Sequence, residues 1–314
     1  MAHLHFSKDF AKALIFVLIS VIGIISFEEN TFASSPVYIY GIDEHGNLKW
    51  YRHNGGATGE PVSTPGAWDG PHYVGVGWQN FERVFPGTGP IFYAVDKIGD
   101  LLWYRHNGFA SGSTHNEVGA WDGPTIQSWG WQGLEQIFSG SDGVIYAITK
   151  DGTLRWYRHK RWLNGDSKNV PGAWEGPKVL GTGWQDYKKV FSGCKGTIYA
   201  ITQDGTLKWL KHLEYLTGGS RPSAWLAPRT VGIGWQNFQH VFPACNGIIY
   251  AVTPNGELWW YKHNGANSGK GLNSPGAWEG PKTVSYGWQN IKTIFAIMPG
   301  TLPIRMSSAE QSHR

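Results

Sequence analysis

Short apolar and aromatic runs separated by Gly-rich turns recur along the chain, and each group of four runs predicts a small antiparallel sheet. In the third group, residues 145–148 form the first predicted strand and residues 154–159 the second. Asp151-Gly152 lies between them, a pair that tolerates the positive φ angles of a type I′ hairpin turn. A long loop leads to a third strand, and a fourth strand ends at Phe191. Both faces of the strands are largely apolar, so each sheet needs cover on both sides.

The whole group repeats five times, and three tryptophan markers define the repeat. The first marker is a Gly-Trp pair whose tryptophans are spaced by 53, 53, 51 and 53 residues, at Trp78, Trp131, Trp184, Trp235 and Trp288. The second is a Trp-Tyr-Arg-His type of strand that begins at Trp50, Trp103, Trp156, Trp209 and Trp260. The third is an Ala-Trp pair at Trp68, Trp121, Trp174, Trp225 and Trp278. Together the markers account for 15 of the 18 tryptophans, so the repeat organises the chain.

Five units of four strands predict an all-β, five-bladed β-propeller with four antiparallel strands per blade. A stacked solenoid needs atypical capping units at its ends, whereas unit one is as regular as unit three, which favours a closed ring. We expect the propeller to occupy residues 34–295. The pattern breaks after residue 295, so residues 296–314 are interpreted as an irregular C-terminal tail.

Composition excludes several other classes of protein. Eighteen Trp, 43 Gly and only 16% charged residues are incompatible with a disordered chain, and they disfavour an ordinary helical protein. The glycines follow no three-residue period, so the chain is not collagen-like. A net charge of +4 with no basic cluster argues against a nucleic-acid partner.

The N-terminal 33 residues predict an export signal. Lys8 and Lys12 precede an apolar run, which small residues around Ala33 follow, and this is the pattern of a cleaved secretory signal peptide. The alternative is an uncleaved anchor, although the run is short for a membrane span. The expected localisation is therefore secreted, with no membrane span after signal removal. Cys194 and Cys245 occupy matching places in neighbouring units, a blade apart, and are predicted to be two thiols.

The repeated motifs resemble those of the tachylectin-2 family, in particular its bacterial-type members. The likeness lies in Gly-Trp-Gln-Asn-Phe, as at 77–81, followed by the first strand and the Trp-Tyr-Arg-His strand, and it covers all five units. The resemblance implies a five-bladed lectin that binds N-acetylglucosamine or N-acetylgalactosamine, one sugar per blade, in pockets between neighbouring blades. This chain departs from the family pattern in one place. The family's Asp-Asn-Trp is replaced by Gly-Ala-Trp followed by Asp or Glu.

A sugar pocket needs an aromatic face and a few fixed polar groups, and the loop between the second and third strands supplies both. The candidate carbohydrate-binding residues are Trp68, Asp69, Asn54, Trp121, Asp122, Asn107, Trp174, Glu175, Trp278, Glu279 and Asn264. Each also has a structural interpretation: the tryptophans pack between blades, the acids bind loop backbone, and Asn-Gly is ordinary turn chemistry. Unit four reads Trp225-Leu226 and lacks the acid, so its pocket is lost or altered if the acid contacts ligand.

The remaining repeated residues are interpreted as structural. One His per unit, with no partner at the short spacings of zinc sites, indicates packing or a blade-to-blade hydrogen bond rather than a metal site. The Gly-Trp tryptophans keep a fixed offset to the fourth strand in every unit and are expected to be buried. No motif predicts a cofactor.

Three kinds of function are known for folds of this type. A glycosidase needs two carboxylates at one asymmetric site, and the acids here recur once per unit, so no enzymatic activity is predicted. A protein-interaction scaffold with no sugar site is the alternative, because a fold does not fix a function. The preferred hypothesis is a secreted, multivalent lectin whose expected partners are glycans that end in N-acetylhexosamine.

Overall fold

The computed structural model describes residues 36–297, which form twenty strands and four 3-10 turns. In chain order the strands are β1 (Val37–Asp43), β2 (Leu48–His53), β3 (Trp68–Gly75), β4 (Arg83–Pro86), β5 (Ile91–Val95), β6 (Leu101–His106), β7 (Trp121–Ser128), β8 (Leu134–Ser139), β9 (Val144–Thr149), β10 (Leu154–His159), β11 (Trp174–Gly181), β12 (Tyr187–Ser192), β13 (Thr197–Thr202), β14 (Leu207–His212), β15 (Trp225–Gly232), β16 (His240–Pro243), β17 (Ile248–Val252), β18 (Leu258–His263), β19 (Trp278–Ser285) and β20 (Ile291–Ile297). The 3-10 turns are Trp78–Asn80, Trp184–Asp186, Pro222–Ala224 and Trp235–Asn237. The predicted signal peptide lies outside the described residues. Within residues 36–297, no helix has the length and apolar character needed to cross a membrane.

The strands form five four-stranded antiparallel sheets, which confirms the five-bladed β-propeller. Blade 1 contains β20, β1, β2 and β3 in that order, and blades 2 to 5 contain β4–β7, β8–β11, β12–β15 and β16–β19. The strands β4, β8, β12, β16 and β20 contact one another around the axis and are therefore the innermost. Each blade thus takes its innermost strand from the preceding sequence unit and its other three strands from its own unit.

The two ends of the described chain meet in blade 1 and close the ring. β20 pairs antiparallel with β1, with Phe295 opposite Tyr40. β20 runs to Ile297, two residues past the expected end of the propeller, and the rest of the expected tail lies outside the described residues. Because the last strand completes the first blade, the ring is held shut by a full ladder of hydrogen bonds.

Large aromatic side chains fill the spaces between blades. The second-strand tryptophan of each unit is almost wholly buried, and its indole N–H donates to a loop carbonyl of the following blade; Trp260 Nε1, for example, lies 2.8 Å from Gly56 O. The loop approaches the ring so closely that a Cβ on Gly59 would lie 2.5 Å from the Trp260 ring. Gly59 also has a φ of +72°, which favours glycine. This packing explains why each loop carries a glycine.

The first hairpin of each unit differs from the predicted type I′ turn. In the third unit Gly152 has a φ of +80° and Asp151 is not among the residues with positive φ, although type I′ requires both. The connection from β9 to β10 is four residues long, and the Gly152 N–H donates to Thr149 O at 2.9 Å. The Asp151 carboxylate accepts from the Thr153 N–H at 3.2 Å. The longer loop leaves only the glycine in the left-handed region.

The prediction of two free thiols was wrong, because Cys194 and Cys245 form a disulfide with a Cα–Cα distance of 5.3 Å. The expected separation was that of whole blades, but both cysteines follow innermost strands, which converge near the axis. Equivalent residues link other blades at the same level. Thr88 Oγ1 accepts from the Gly143 N–H at 2.9 Å, and Ser141 Oγ accepts from the Lys195 N–H at 2.8 Å.

Candidate functional site

A cavity of about 320 Å³ lies between blades 4 and 5, and we call it the 4/5 cleft. Blade 4 contributes the end of β15 and the start of the following 3-10 turn, and blade 5 contributes β18, β19 and the loop between them. The residues that line it include Val231, Ile233, Trp235, Tyr261, Leu272, Ser274 and Trp278. The volume is of the size that a small-molecule site has, at its lower end.

Three aromatic rings form the walls of the 4/5 cleft. The Trp235 and Tyr261 rings lie 4.9 Å apart, and Trp235 and Trp278 lie 6.0 Å apart. The Trp278 ring stacks on His263 at 4.5 Å and 13°, and its Nε1 donates to Val231 O at 2.8 Å. One face and the N–H of this half-buried indole are therefore occupied by protein, which fixes the ring across the blade interface.

The same stack occurs in all five blades. The Ala-Trp ring lies parallel to the histidine of its own unit, with centroid distances of 4.1 to 4.5 Å, in the pairs Trp68–His53, Trp121–His106, Trp174–His159, Trp225–His212 and Trp278–His263. The rings also contact the preceding blade; Trp121 Nε1, for example, donates to Val74 O at 3.0 Å, which confirms the structural interpretation of packing between blades. Their contact with a ligand stays a prediction.

Each of the five histidines joins two blades, as predicted. His53 Nδ1 lies 2.8 Å from the Tyr250 hydroxyl of the preceding blade, and its Nε2 lies 2.8 Å from Glu60 O. A carbonyl oxygen only accepts, so Nε2 carries the proton and Nδ1 accepts from the tyrosine O–H. Burial lowers the pKa of His53, His106 and His159 to about 4, so these rings are neutral at pH 7. Residues 36–297 contain no group of three potential metal ligands.

The Gly-Trp tryptophans are buried as predicted, with 2 to 8% of each residue exposed. Trp288 contacts Tyr51 of the next blade at 4.5 Å, and Trp78 contacts Tyr104 at 5.0 Å. The inner wall of each cleft is therefore built from two blades.

Three of the four predicted acids form charge pairs, on the other face of the third strand. Asp69 lies 3.1 Å from the Arg52 guanidinium, and Glu175 lies 2.8 Å from the Lys178 ammonium. The hydrogen bond from Lys178 holds the pKa of Glu175 below its usual value. Successive residues of a strand point to opposite faces. The acid therefore faces the following blade, whereas the adjacent Ala-Trp tryptophan faces the preceding one.

The two remaining acids, Glu279 and Asp122, occupy the same position in their strands and lie on the same face. Glu279 accepts from Asn264 Nδ2 at 2.9 Å and lies 4.0 Å from the Lys262 ammonium. Asp122 is exposed and stands opposite Arg105 in the ladder. The structure thus does not bring the acid and the tryptophan of one unit to the same wall, and ligand contact by the acids stays a prediction.

The predicted asparagines close their own loops. Asn54 Nδ2 donates to Gly66 O at 2.8 Å, Asn107 Nδ2 to Gly119 O at 3.1 Å, and Asn264 Nδ2 to Gly276 O at 3.2 Å. The turn interpretation is confirmed for all three. The three asparagines are half-buried or exposed, and contact between their side-chain oxygens and a ligand stays a prediction.

The cleft between blades 3 and 4, which we call the 3/4 cleft, keeps the stack of tryptophan on histidine but lacks polar groups that the 4/5 cleft has. Trp225 stacks on His212 at 4.3 Å, yet among the described residues its buried Nε1 has no hydrogen-bond partner. Leu210 replaces the tyrosine found at this place in the other units. Arg221, at the place of Ser274, pairs with Glu214 of the same loop.

Sequence reasoning missed two sets of cleft residues. The first is the tyrosine of Trp-Tyr-Arg-His, at Tyr51, Tyr104, Tyr157 and Tyr261. Burial raises the pKa of Tyr261 to about 12, so its phenol keeps its proton. The second is the exposed residue two before each Gly-Trp tryptophan, at Val76, Trp129, Thr182, Ile233 and Tyr286. The replacement of tyrosine by leucine in the one unit that lacks the acid was a signal for the first set.

The closed five-bladed ring, with an aromatic stack in every blade and a cavity between blades 4 and 5, defines the class of protein: a β-propeller with a candidate binding cleft between its blades. Family comparison then gives the particular kind. Residues 19–175 and 173–310 match the family described as Tachylectin, so the chain belongs to the tachylectin family and is a lectin-type propeller.

More distant comparisons add little. No curated protein matches the chain. Similar solved structures include Prp20p from Saccharomyces cerevisiae (15% identity, 81% of this chain and 59% of that chain, TM-score 0.36). Human WBSCR16 is similar over 69% of this chain and 58% of that chain, with 13% identity and a TM-score of 0.33. The chain therefore spans under three fifths of the length of these two proteins.

Proposed function

We propose that this chain is a secreted, multivalent lectin that binds N-acetylhexosamine-type sugars in the clefts between its blades. The observation that carries the proposal is the 4/5 cleft, whose aromatic walls are supplied by two blades. Rings of this kind cover the apolar face of a pyranose, while the Tyr261 hydroxyl and Ser274 offer hydrogen bonds to its hydroxyls. The amino-sugar preference rests on membership of the tachylectin family.

Repetition of the cleft supports multivalent binding. A single shallow pocket of this size is expected to bind one sugar with a Kd near the millimolar range, or about −4 kcal/mol. Several pockets that engage one glycan surface raise the avidity by roughly 10²–10⁴. The 5/1, 1/2 and 2/3 clefts keep the tyrosine, as Tyr51, Tyr104 and Tyr157, and are the expected companions of the 4/5 cleft.

The disulfide supports export of the protein. Disulfides persist in oxidising compartments and are rare in the cytosol. The Cys194–Cys245 bond joins the turns that follow the innermost strands of blades 4 and 5, and neither cysteine is free. Together with the apolar run near the N-terminus, this bond favours secretion. Recovery of the protein from culture medium with the disulfide intact and the first 33 residues removed is the expected result of mass spectrometry.

A glycan array with the purified protein tests the sugar proposal. We expect binding to glycans that end in N-acetylglucosamine or N-acetylgalactosamine, and loss of that binding in excess free sugar. Trp278→Ala lacks an aromatic wall of the 4/5 cleft and is expected to weaken binding, whereas Ile98→Ala, at an exposed hairpin turn, is the matched control. A blank array with correctly folded protein refutes the lectin proposal and directs attention to a protein partner.

A further inference from the structure

One residue on each innermost strand occupies the position five after the Gly-Trp tryptophan, and these residues form a ring around the propeller axis. The members of this channel ring are Arg83, Gln136, Lys189, His240 and Thr293. Three of the five are of basic type and none is acidic. The ring lies on the inner edge of the blades and is distinct from the clefts described above.

Three members of the channel ring reach the backbone of the next innermost strand. Arg83 Nη2 donates to Leu134 O at 2.8 Å, and His240 Nε2 donates to Ile291 O at 2.8 Å. Gln136 Nε2 donates to Tyr187 O at 3.1 Å and its Oε1 accepts from the Val190 N–H at 2.8 Å. These bonds run from strand to strand around the axis, so the ring follows the inner wall of the channel.

Lys189 differs from these three members. Among residues 36–297 its ammonium group makes no hydrogen bond and no ion pair within ordinary contact distance. Burial lowers its pKa to about 8, and no carboxylate offsets this effect. The pKa of His240 is lowered chiefly by burial and also by the charge of Lys189, so the two side chains interact electrostatically. A partly buried cation without a counter-charge is unfavourable, and a bound anion removes that penalty.

The other charged residues near the channel do not supply the missing counter-charge. One position before the ring, the innermost segments carry Glu82, Glu135, Lys188 and Lys292, all of which are exposed. No ion pair in the described part of the chain joins either glutamate to Lys189 or Arg83. The Lys188 ammonium donates to Gln236 O at 2.9 Å and is satisfied at the protein surface.

We propose that the channel ring is a binding site for a small tetrahedral oxyanion, held chiefly by the Lys189 ammonium with help from the Arg83 guanidinium and the Thr293 hydroxyl. An ammonium group offers three donors and a guanidinium offers five, of which Arg83 spends one on Leu134 O. Charge-assisted hydrogen bonds of this type are the strong ones in anion recognition. The site is independent of the sugar clefts, so it neither requires nor excludes glycan binding.

Titration calorimetry with sodium sulfate at pH 7, with ionic strength held constant by sodium chloride, tests the proposal. We expect saturable binding of one sulfate per chain. Lys189→Met is expected to weaken the affinity at least about tenfold, which is about 1.4 kcal/mol. Lys188→Met, the neighbouring exposed lysine, is the matched control and is expected to change the affinity less than about twofold. Absence of saturable sulfate binding, or equal affinity in Lys189→Met and the unmodified protein, overturns the proposal.

Thermal unfolding separates loss of the site from loss of the fold. Lys189→Met removes an unpaired cation, so we expect its Tm in chloride to equal or exceed that of the unmodified protein. Sulfate is expected to raise the Tm of the unmodified protein and of Lys188→Met, but not that of Lys189→Met. Lys189→Gln, a polar substitution, repeats the test if the methionine variant does not fold. A sulfate response that survives in both Lys189 variants also contradicts the proposal.

Discussion

The 4/5 and 3/4 clefts share one frame but differ in the groups that a ligand would meet. In both, an Ala-Trp indole stacks on a histidine, at 4.5 and 4.3 Å, and that histidine bonds to a tyrosine of the preceding blade at 2.8 and 2.9 Å. Tyr261 and Ser274 in the first are replaced by Leu210 and Arg221 in the second. The aromatic stack is therefore part of the scaffold, and the two clefts differ in the few polar side chains around it.

Acid is expected to break the shared frame in every blade. The folded-state pKa of about 4 in His53, His106 and His159 lies below the usual value of 6.5, so the unfolded chain binds more protons in between. Stability is then fully present above pH 6.5 and falls as the pH drops towards 4, by up to about 1.4 kcal/mol per pH unit for each histidine. Urea unfolding at pH 7, 5.5 and 4.5 measures this. A flat profile over this window contradicts the neutral-histidine assignment.

Removal of one of the second-strand tryptophans, which fill the spaces between blades, has the next largest expected effect. Trp209→Ala empties a wholly buried site and removes a hydrogen bond to Ala266 O, so the free energy of unfolding falls by roughly 3–5 kcal/mol. Trp129→Ala is the matched control because 59% of Trp129 is exposed, and its expected effect is below about 1 kcal/mol. Equal losses in the two variants, measured by urea unfolding, disagree with this distinction.

The disulfide distinguishes the 4/5 interface from the others. It closes a sequence separation of 51 residues, so the double variant Cys194→Ser with Cys245→Ser is expected to lose about 2–4 kcal/mol of stability. Ser141→Ala, at the equivalent place, removes a single hydrogen bond and is expected to lose about 1 kcal/mol. Chemical unfolding of both variants gives the comparison. A loss no larger in the cysteine variant shows that the bond adds nothing to the ring.

Exchange of the tyrosine and leucine sharpens the contrast between the clefts themselves. Tyr261→Leu gives the 4/5 cleft the side chain of the 3/4 cleft, and its sugar affinity is expected to fall about five- to tenfold, or roughly 1 kcal/mol. Stability is expected to change little, because Leu210 is tolerated in the same frame. Calorimetry with N-acetylglucosamine measures both affinity and the number of sites. An unchanged number of sites and affinity removes Tyr261 from the binding surface.

The acids give the smallest expected effect. Glu279 lies in an exposed charge pair and faces away from the wall that Trp278 forms, so Glu279→Gln is expected to change stability by less than about 1 kcal/mol. We expect it to weaken sugar binding less than Tyr261→Leu does, in the same calorimetric titration. A larger loss in Glu279→Gln establishes the ligand role that the sequence pattern first indicated.

The sequence predicted the propeller because its markers are local and repeated. Strand positions, the burial of the Gly-Trp tryptophans and the blade-to-blade role of the histidines all followed from a fixed spacing. The cleft walls were harder to predict, because each wall joins the end of one unit to the middle of the next. Val231 and Trp278, for example, are 47 residues apart in the chain and are joined by a hydrogen bond.

The sequence by itself determined the number of blades, the strands of each blade and the apolar character of both faces of every sheet, since these depend on short-range periodicity. Only the tertiary structure decided which unit supplies the innermost strand, that Cys194 and Cys245 meet, and that each acid faces away from its neighbouring tryptophan. These features depend on how strands converge at the axis and on which face of a strand each side chain occupies. Such distances and directions arise only when the ring closes.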